Sequence, residues 1–227
     1  MEIRAITEDE LPRFVRADGI GFGLVSTEEN ITDAERVLEL DRTVAVFDGD
    51  DMVGTAAAFT FELTLPGLST LPAAGVTWVS VLPTHRRQGV LRRIMEFQLD
   101  DVVRRGEPLA VLTASEGGIY ERFGYGAATF NYNLEADPGA VVWRDVLPDS
   151  GRVRLVDAEE ARKALPPVFD RVRRARPGDH QRDDSMWDYW FQDKEKWRNG
   201  MSARFYAVHE TASGEVDGFA AYRRTTG

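Results

Sequence analysis

The residues with the plainest chemical purpose lie between Val79 and Leu91, reading Val-Ser-Val-Leu-Pro-Thr-His-Arg-Arg-Gln-Gly-Val-Leu. The spacing predicts a strand, a short loop and the start of a helix. A helix N-terminus carries unpaired amides and a partial positive charge, so it holds anions without further help. Gly89 lets a backbone approach a bulky anion, and Arg86 and Arg87 add charges able to pair with phosphate. A strand that splays before the loop would leave main-chain amides for an extended, amide-bearing ligand. The pattern therefore suits a phosphorylated cofactor with a peptide-like arm. As a bare basic cluster the four arginines Arg86, Arg87, Arg92 and Arg93 would be a solvated helix start; the glycine offset and the strand before it favour the cofactor reading.

A second run, Ala114-Ser-Glu-Gly-Gly-Ile-Tyr-Glu-Arg-Phe-Gly-Tyr-Gly126, follows one strand later. Its Tyr120, taken without the run around it, reads as an aromatic packing a short helix on the sheet. Tyr125 reads as structural. His85, His180 and His209 are scattered with no partner at metal-ligand spacing, so no metal is expected. No hydrolase triad assembles from the serines and histidines.

The elements that must carry these motifs form a mixed α/β order. Ile3–Ile6 reads as a strand, and Thr7 with Glu10 as a capping box opening a helix through about Ala17. Residues 19–27 read as a glycine-rich loop and 33–40 as a second helix. Strands at 43–47 and 52–64 flank an Asp-Gly turn, a hairpin signal. Then come a loop at 66–72, a central strand at 75–81 and an amphipathic helix at 89–105 with Leu91, Ile94, Met95, Gln98 and Val102 on one face. A buried strand at 109–113, a helical turn at 118–123 and a closing strand at 127–134 complete a sheet flanked by helices. Beyond Asp137-Pro138-Gly139 the opening order repeats. A strand near 153–157, helices at 158–173 and 186–197, and strands at 203–208 and 218–223 suggest a second copy, and we expect domains at 1–138 and 139–227, the latter incomplete. Trp187, Trp190, Phe191 and Trp197 on one helix read as core.

Composition bounds the partners. Twenty-eight basic against 38 acidic residues give −10, the wrong sign for a nucleic-acid binder and a suitable one for concentrating a cationic amine. With no cysteine, disulfides and thiolate chemistry are excluded and a reducing compartment is the natural home. No apolar leader or ~20-residue apolar span is present, so we expect a cytoplasmic protein without a membrane partner.

Taken together, Arg86–Leu91 resembles the Gln/Arg-x-x-Gly-x-Gly/Ala signature of GNAT acetyltransferases, with Leu91 in place of the final small residue. Paired with Ala114–Gly126, it is similar to the enhanced-intracellular-survival (Eis) branch; the strong match covers 75–129. The resemblance implies a GNAT acyl-CoA N-acyltransferase fold and acetyl-CoA as co-substrate. It implies that the backbone at Val79 and Val81 holds the pantetheine arm, that Arg86, Arg87, Gly89 and Val90 hold the pyrophosphate, and that Ser115 lies near the cofactor. By the same resemblance Tyr120 is the general acid, Phe22 and Glu28 receive the amine, with Glu29 an acidic neighbour, and the protein is a homo-oligomer, a hexamer. The base in that branch is a chain-terminal carboxylate far beyond residue 227, so no base is assigned. The expected reaction is acetylation of a primary amine of polyamine, aminoglycoside or lysine type; the alternative is a CoA-binding module without turnover.

Overall fold

The structure is a computed structural model that describes residues 1–130, 139 and 151–225. Its larger sheet has five strands in the order β1 (Glu2–Ala5), β2 (Thr43–Asp48), β3 (Asp51–Thr64), β4 (Thr70–Val81) and β5 (Leu109–Leu112). The first four pair antiparallel and β5 joins β4 in parallel. Helices α1 (Leu11–Gly21) and α2 (Glu28–Val37) cover one face, and α3 (Val90–Arg104) the other. This is the expected mixed α/β GNAT-type sheet.

Each layer follows from pattern. On α1, Leu11, Phe14 and Val15 recur at helical spacing and pack with Ile31, Ala34, Ala45, Phe47 and Ala57. On α3, Val90, Ile94 and Met95 bury against Val44, Val46, Val53 and Ala56. That contact is close because Gly54 has no side chain: a Cβ there would lie 2.7 Å from Val90 Cγ1. A buried ion pair, Arg42 to Glu107 at 2.6 Å, ties the start of β2 to the turn after α3.

Several boundaries differ from the sequence reading. The Thr7 capping box forms, but it opens a single 3-10 turn, Glu8–Glu10, before α1 begins at Leu11. Helix α1 then runs to Gly21, through part of the expected loop. Helix α2 starts at Glu28 rather than 33, because Thr27 accepts from the Asn30 amide and Asn30 reaches back to the Thr27 amide. Strand β5 is half-exposed rather than buried, being paired only with β4 among the described residues. Residues 127–130 hold no strand, and the rest of the expected closing strand lies outside the described residues. The aromatic helix ends at Phe191, with a separate 3-10 turn at Glu195–Trp197, because Asp193 turns to φ 43° between them.

A three-stranded antiparallel sheet, β6 (Arg152–Val156), β7 (Phe205–Glu210) and β8 (Val216–Tyr222), follows with α4 (Ala158–Arg173) and α5 (Asp184–Phe191). Trp187 and Phe191 are core here, packed with Leu165, Tyr206 and Val208. This part grips the end of β3. The Thr64 amide donates to the Asp179 carbonyl at 2.9 Å, the Gly178 amide to the Thr64 carbonyl at 2.8 Å, and the Gln181 amide to the Glu62 carbonyl at 3.0 Å. His180 stacks on Phe61 at 4.1 Å, buried Arg173 reaches Glu62 at 2.8 Å, and Lys194 clasps Asp33 at 2.6 Å.

Candidate active site

The sheet opens where the sequence motif predicts a splay. Strand β4 pairs with β5 only from Ala73 to Val76; it runs on to Val81 with that edge unpaired by β5, which ends at Leu112. Immediately beyond the last shared pair β4 bulges: the register with β3 slips between Thr55 and Ala57, and Trp78 takes φ 53°, rare for a bulky residue. Into this gap opens a cleft of about 1130 Å³. Its walls include Trp78–Val81, the 85–92 segment, and Ser115 and Tyr120, with Gly21 and Phe22 at the α1 end.

One end of the cleft is built for an anion. Arg87 and Gly89 both have positive φ, 61° and 84°, so the loop coils with alternating hand into the N-terminus of α3. Such a turn points successive amides to one side. The first helical bond is Arg93 N–H to the Gly89 carbonyl, so the amides of Val90, Leu91 and Arg92 precede the ladder. A Cβ at Gly89 would meet nothing within 4 Å, leaving open space above those amides. Arg87 is exposed beside them. Arg86 does something else: its guanidinium donates to the Gly21 carbonyl at 2.9 Å and reaches the Val81 carbonyl at 3.4 Å. It staples the α1 end to β4.

At the other end α1 terminates, its last carbonyls taken by the amides of Phe22, Gly23 and Leu24 and by the Arg86 guanidinium. Behind it lies a polar cluster in an otherwise apolar layer. Asp18 Oδ1 is 3.3 Å from Thr55 Oγ1, which is 2.8 Å from Ser80 Oγ and 3.0 Å from the Trp78 carbonyl. Burial pushes the Asp18 carboxyl up to about 6, against the neighbouring Thr55 and Ser80 hydroxyls, which pull it down.

Between the ends stands Tyr120, half-buried on a 3-10 turn, edge-on to Tyr125 with ring centroids 5.9 Å apart. Burial and then the nearby Glu116 raise its phenol above the usual value, so it holds its proton at neutral pH. Burial pushes Tyr125 further, to about 12.

The cleft thus gathers Val79, Val81, Arg86, Arg87, Gly89, Val90, Ser115, Tyr120 and Phe22. Glu28 is not among its lining residues: it is exposed and paired with Arg16 at 2.8 Å. Glu29 is tied to Lys194 and Lys196. The sequence reading missed Asp18, Thr55, Ser80 and Gly21. One signal was present, since Asp18 falls at i+7 from Leu11, on the same stripe as Phe14 and Val15. Among the described residues no cluster of His, Asp or Glu could hold a metal, and no helix is long and apolar enough to cross a membrane.

A sheet unzipped beside a helix N-terminus is the architecture of acyl-CoA N-acyltransferases, and the sequence matches the model of the acetyltransferase (GNAT) domain over residues 2–128. The chain belongs to the GNAT acetyltransferase family. Its relatives include the N-acetyltransferase Eis of Mycobacterium tuberculosis, 34% identical over 225 residues, covering 96% of this chain and 54% of that protein. An uncharacterized N-acetyltransferase of Streptomyces avermitilis is 39% identical over 229 residues, covering 98% of this chain and 54% of that protein. The crystal structure of Eis1 from Mycobacterium abscessus superposes with a TM-score of 0.74 at 28% identity, over 98% of this chain and 54% of that one. The chain spans about half the length of these relatives.

Proposed function

We propose that this chain carries the acetyl-CoA site and acetyl-transfer centre of an N-acetyltransferase acting on primary amines of polyamine, aminoglycoside or lysine type. The observation that carries the reading is the unpaired edge of β4 ending in the Arg87–Val90 anion cradle. Pantetheine amides fit the main chain at Val79 and Val81. Arg87 and the amides from Gly89 onward suit the pyrophosphate, and the open space at Gly89 admits it. Arg86 contributes by holding the α1 end in place, and Ser115 borders the cofactor path.

The acceptor approaches at the α1 end, past Phe22, and the net charge of −10 favours an ammonium ion. There its nitrogen, once deprotonated, attacks the thioester carbonyl carbon; the new C–N bond forms as the C–S bond breaks. Tyr120, kept protonated by its surroundings, donates to the departing sulfur. Residues 139–227 form, on this reading, a second domain that repeats the opening order of elements.

The test is thiol release from acetyl-CoA in the presence of a panel of primary amines, alongside acetyl-CoA binding. Release that depends on the amine supports transfer. Binding without release supports the second reading, a CoA-binding module.

A further inference from the structure

Several arginines of this chain are matched by carboxylates: Arg4 by Glu10, Arg16 by Glu28, Arg42 by Glu107 and Arg105 by Asp101. The cleft is different. Arg86, Arg87, Arg92 and Arg122 line it, and among the described residues none of the four forms an ion pair. Glu116 is the one acid among its lining residues.

Two of the four already have a place. Arg86 is bound to main-chain carbonyls, and Arg87 stands beside the amides that suit the pyrophosphate. Arg92 and Arg122 remain. Arg92 is in the first turn of α3, and its side chain makes no hydrogen bond among the described residues. Arg93, next along, reaches away to the Met1 carbonyl at 3.4 Å. Arg122 comes from another element, the 3-10 turn Glu121–Phe123 that follows β5. Its Nε donates to the Ile119 carbonyl at 3.0 Å, and its guanidinium carbon lies 5.3 Å from the centre of the Phe123 ring. Those contacts hold the stem and leave both terminal nitrogens for a ligand.

A pyrophosphate diester carries two negative charges, which the cradle amides and Arg87 can answer. Two further cations on separate elements of one cleft suit a second anionic group on the same ligand. A phosphomonoester fits them, with a charge of about −1.5 to −2 near neutral pH and three acceptor oxygens. The guanidinium fork can meet such oxygens in pairs. CoA carries this group on its ribose 3′ carbon. Dephospho-CoA lacks it, and a pantetheine arm on a carrier protein ends in a phosphodiester instead.

We infer that Arg92 and Arg122 clamp the 3′-phosphate, so that the acyl donor is selected as free, 3′-phosphorylated CoA. The inference rests on the acetyl-CoA reading and assigns the part of the donor which that reading leaves without partners. The two arginines set specificity only, since no bond is made or broken at the phosphate they hold. Both are exposed, so water and salt screen each contact and the selection is moderate.

The test measures dissociation constants of CoA and dephospho-CoA by calorimetry for the parent chain, Arg92→Gln, Arg122→Gln, the double variant and Arg36→Gln. Arg36 lies on α2, outside the cleft lining, and its variant makes the same change in net charge. The parent should bind CoA about tenfold more tightly than dephospho-CoA at low salt. Each cleft variant should cut that preference about threefold and the double variant should abolish it, with dephospho-CoA affinity held within about twofold. Arg36→Gln should keep the parent's preference. Lowering the pH through about 6, where a phosphomonoester takes up its second proton, should shrink the preference of the parent and leave the double variant unchanged. Equal affinities in the parent overturn the clamp alone. A loss in the cleft variants that falls on both ligands alike also overturns it. A parent that binds neither ligand overturns the acetyl-CoA reading and the clamp with it.

Discussion

Replacing Asp18 by Asn should make the protein more stable at neutral pH, by an amount that grows with pH. The carboxyl sits near 6 in the fold against 3.8 as a free side chain, because burial penalises its charge more than the Thr55 and Ser80 hydroxyls repay. A raised acid stabilises the folded state below its unfolded pKa and forfeits that contribution as pH rises through the folded one. Asp18 is thus harmless below about pH 4 and costs stability above about pH 6. A shift of about two units corresponds to ~3 kcal/mol when fully expressed. Between about pH 4.5 and about pH 7.5 the change is ~2 kcal/mol, since part of the cost is already present at the lower value. Asparagine is neutral throughout, has nearly the same shape, and can accept from Thr55. Urea unfolding of both proteins across that range, followed by tryptophan fluorescence, should show the Asn variant gaining ~2 kcal/mol on the parent as pH rises. A difference constant with pH, or one that shrinks, would refute the claim that Asp18 is held in a charge-averse site.

Other outcomes follow from the same geometry. Gly89→Glu should abolish acetyl-CoA binding, since it puts a carboxylate over the α3 amides and forces a side chain onto φ 84°; calorimetry that still finds tight binding would remove the pyrophosphate from that place. Tyr120→Phe should lower kcat far more than acetyl-CoA affinity, by about 100-fold if its acid role is direct, and weakened binding with an unchanged saturated rate would contradict it. Glu107→Ala should cost ~3–5 kcal/mol in denaturant titration, because it strands the Arg42 guanidinium, 1% exposed, without its carboxylate.

Much of this was readable along the chain, and what was not has a common cause. The strand–loop–helix at 79–91 and the amphipathic α3 are written in local terms: a proline, a glycine at a fixed offset, apolar residues every third or fourth place. The hairpin β2–β3 announces itself through Asp48–Asp51. Helix α2 was misplaced although its cap was equally local, because Thr27 uses Asn30 where the common box uses an acid. The Glu28–Arg16 pair was hidden because its members lie on different helices. The Arg86 bond to the Gly21 carbonyl was hidden for the same reason, the two being 65 residues apart. The polar cluster at Asp18 is the extreme case. Asp18, Thr55 and Ser80 come from three elements, and the raised carboxyl is a property of the space they enclose rather than of any residue among them. Only the misfit of an acid on the Leu11–Phe14–Val15 stripe hinted at it.

The grip of the second sheet's segment on the end of β3 has a kinetic side. Arg173 and Glu62 are 111 residues apart in sequence, and Lys194 and Asp33 are 161 apart. Contacts that close such long stretches of chain are entropically expensive and tend to form after local structure is in place. Arg173→Met should therefore hasten unfolding while leaving the refolding rate nearly unchanged, as expected for an interaction absent from the transition state. On this view Glu62–Thr64 acts as a latch: it is the last contact to close, and it sets how long the closed form lasts.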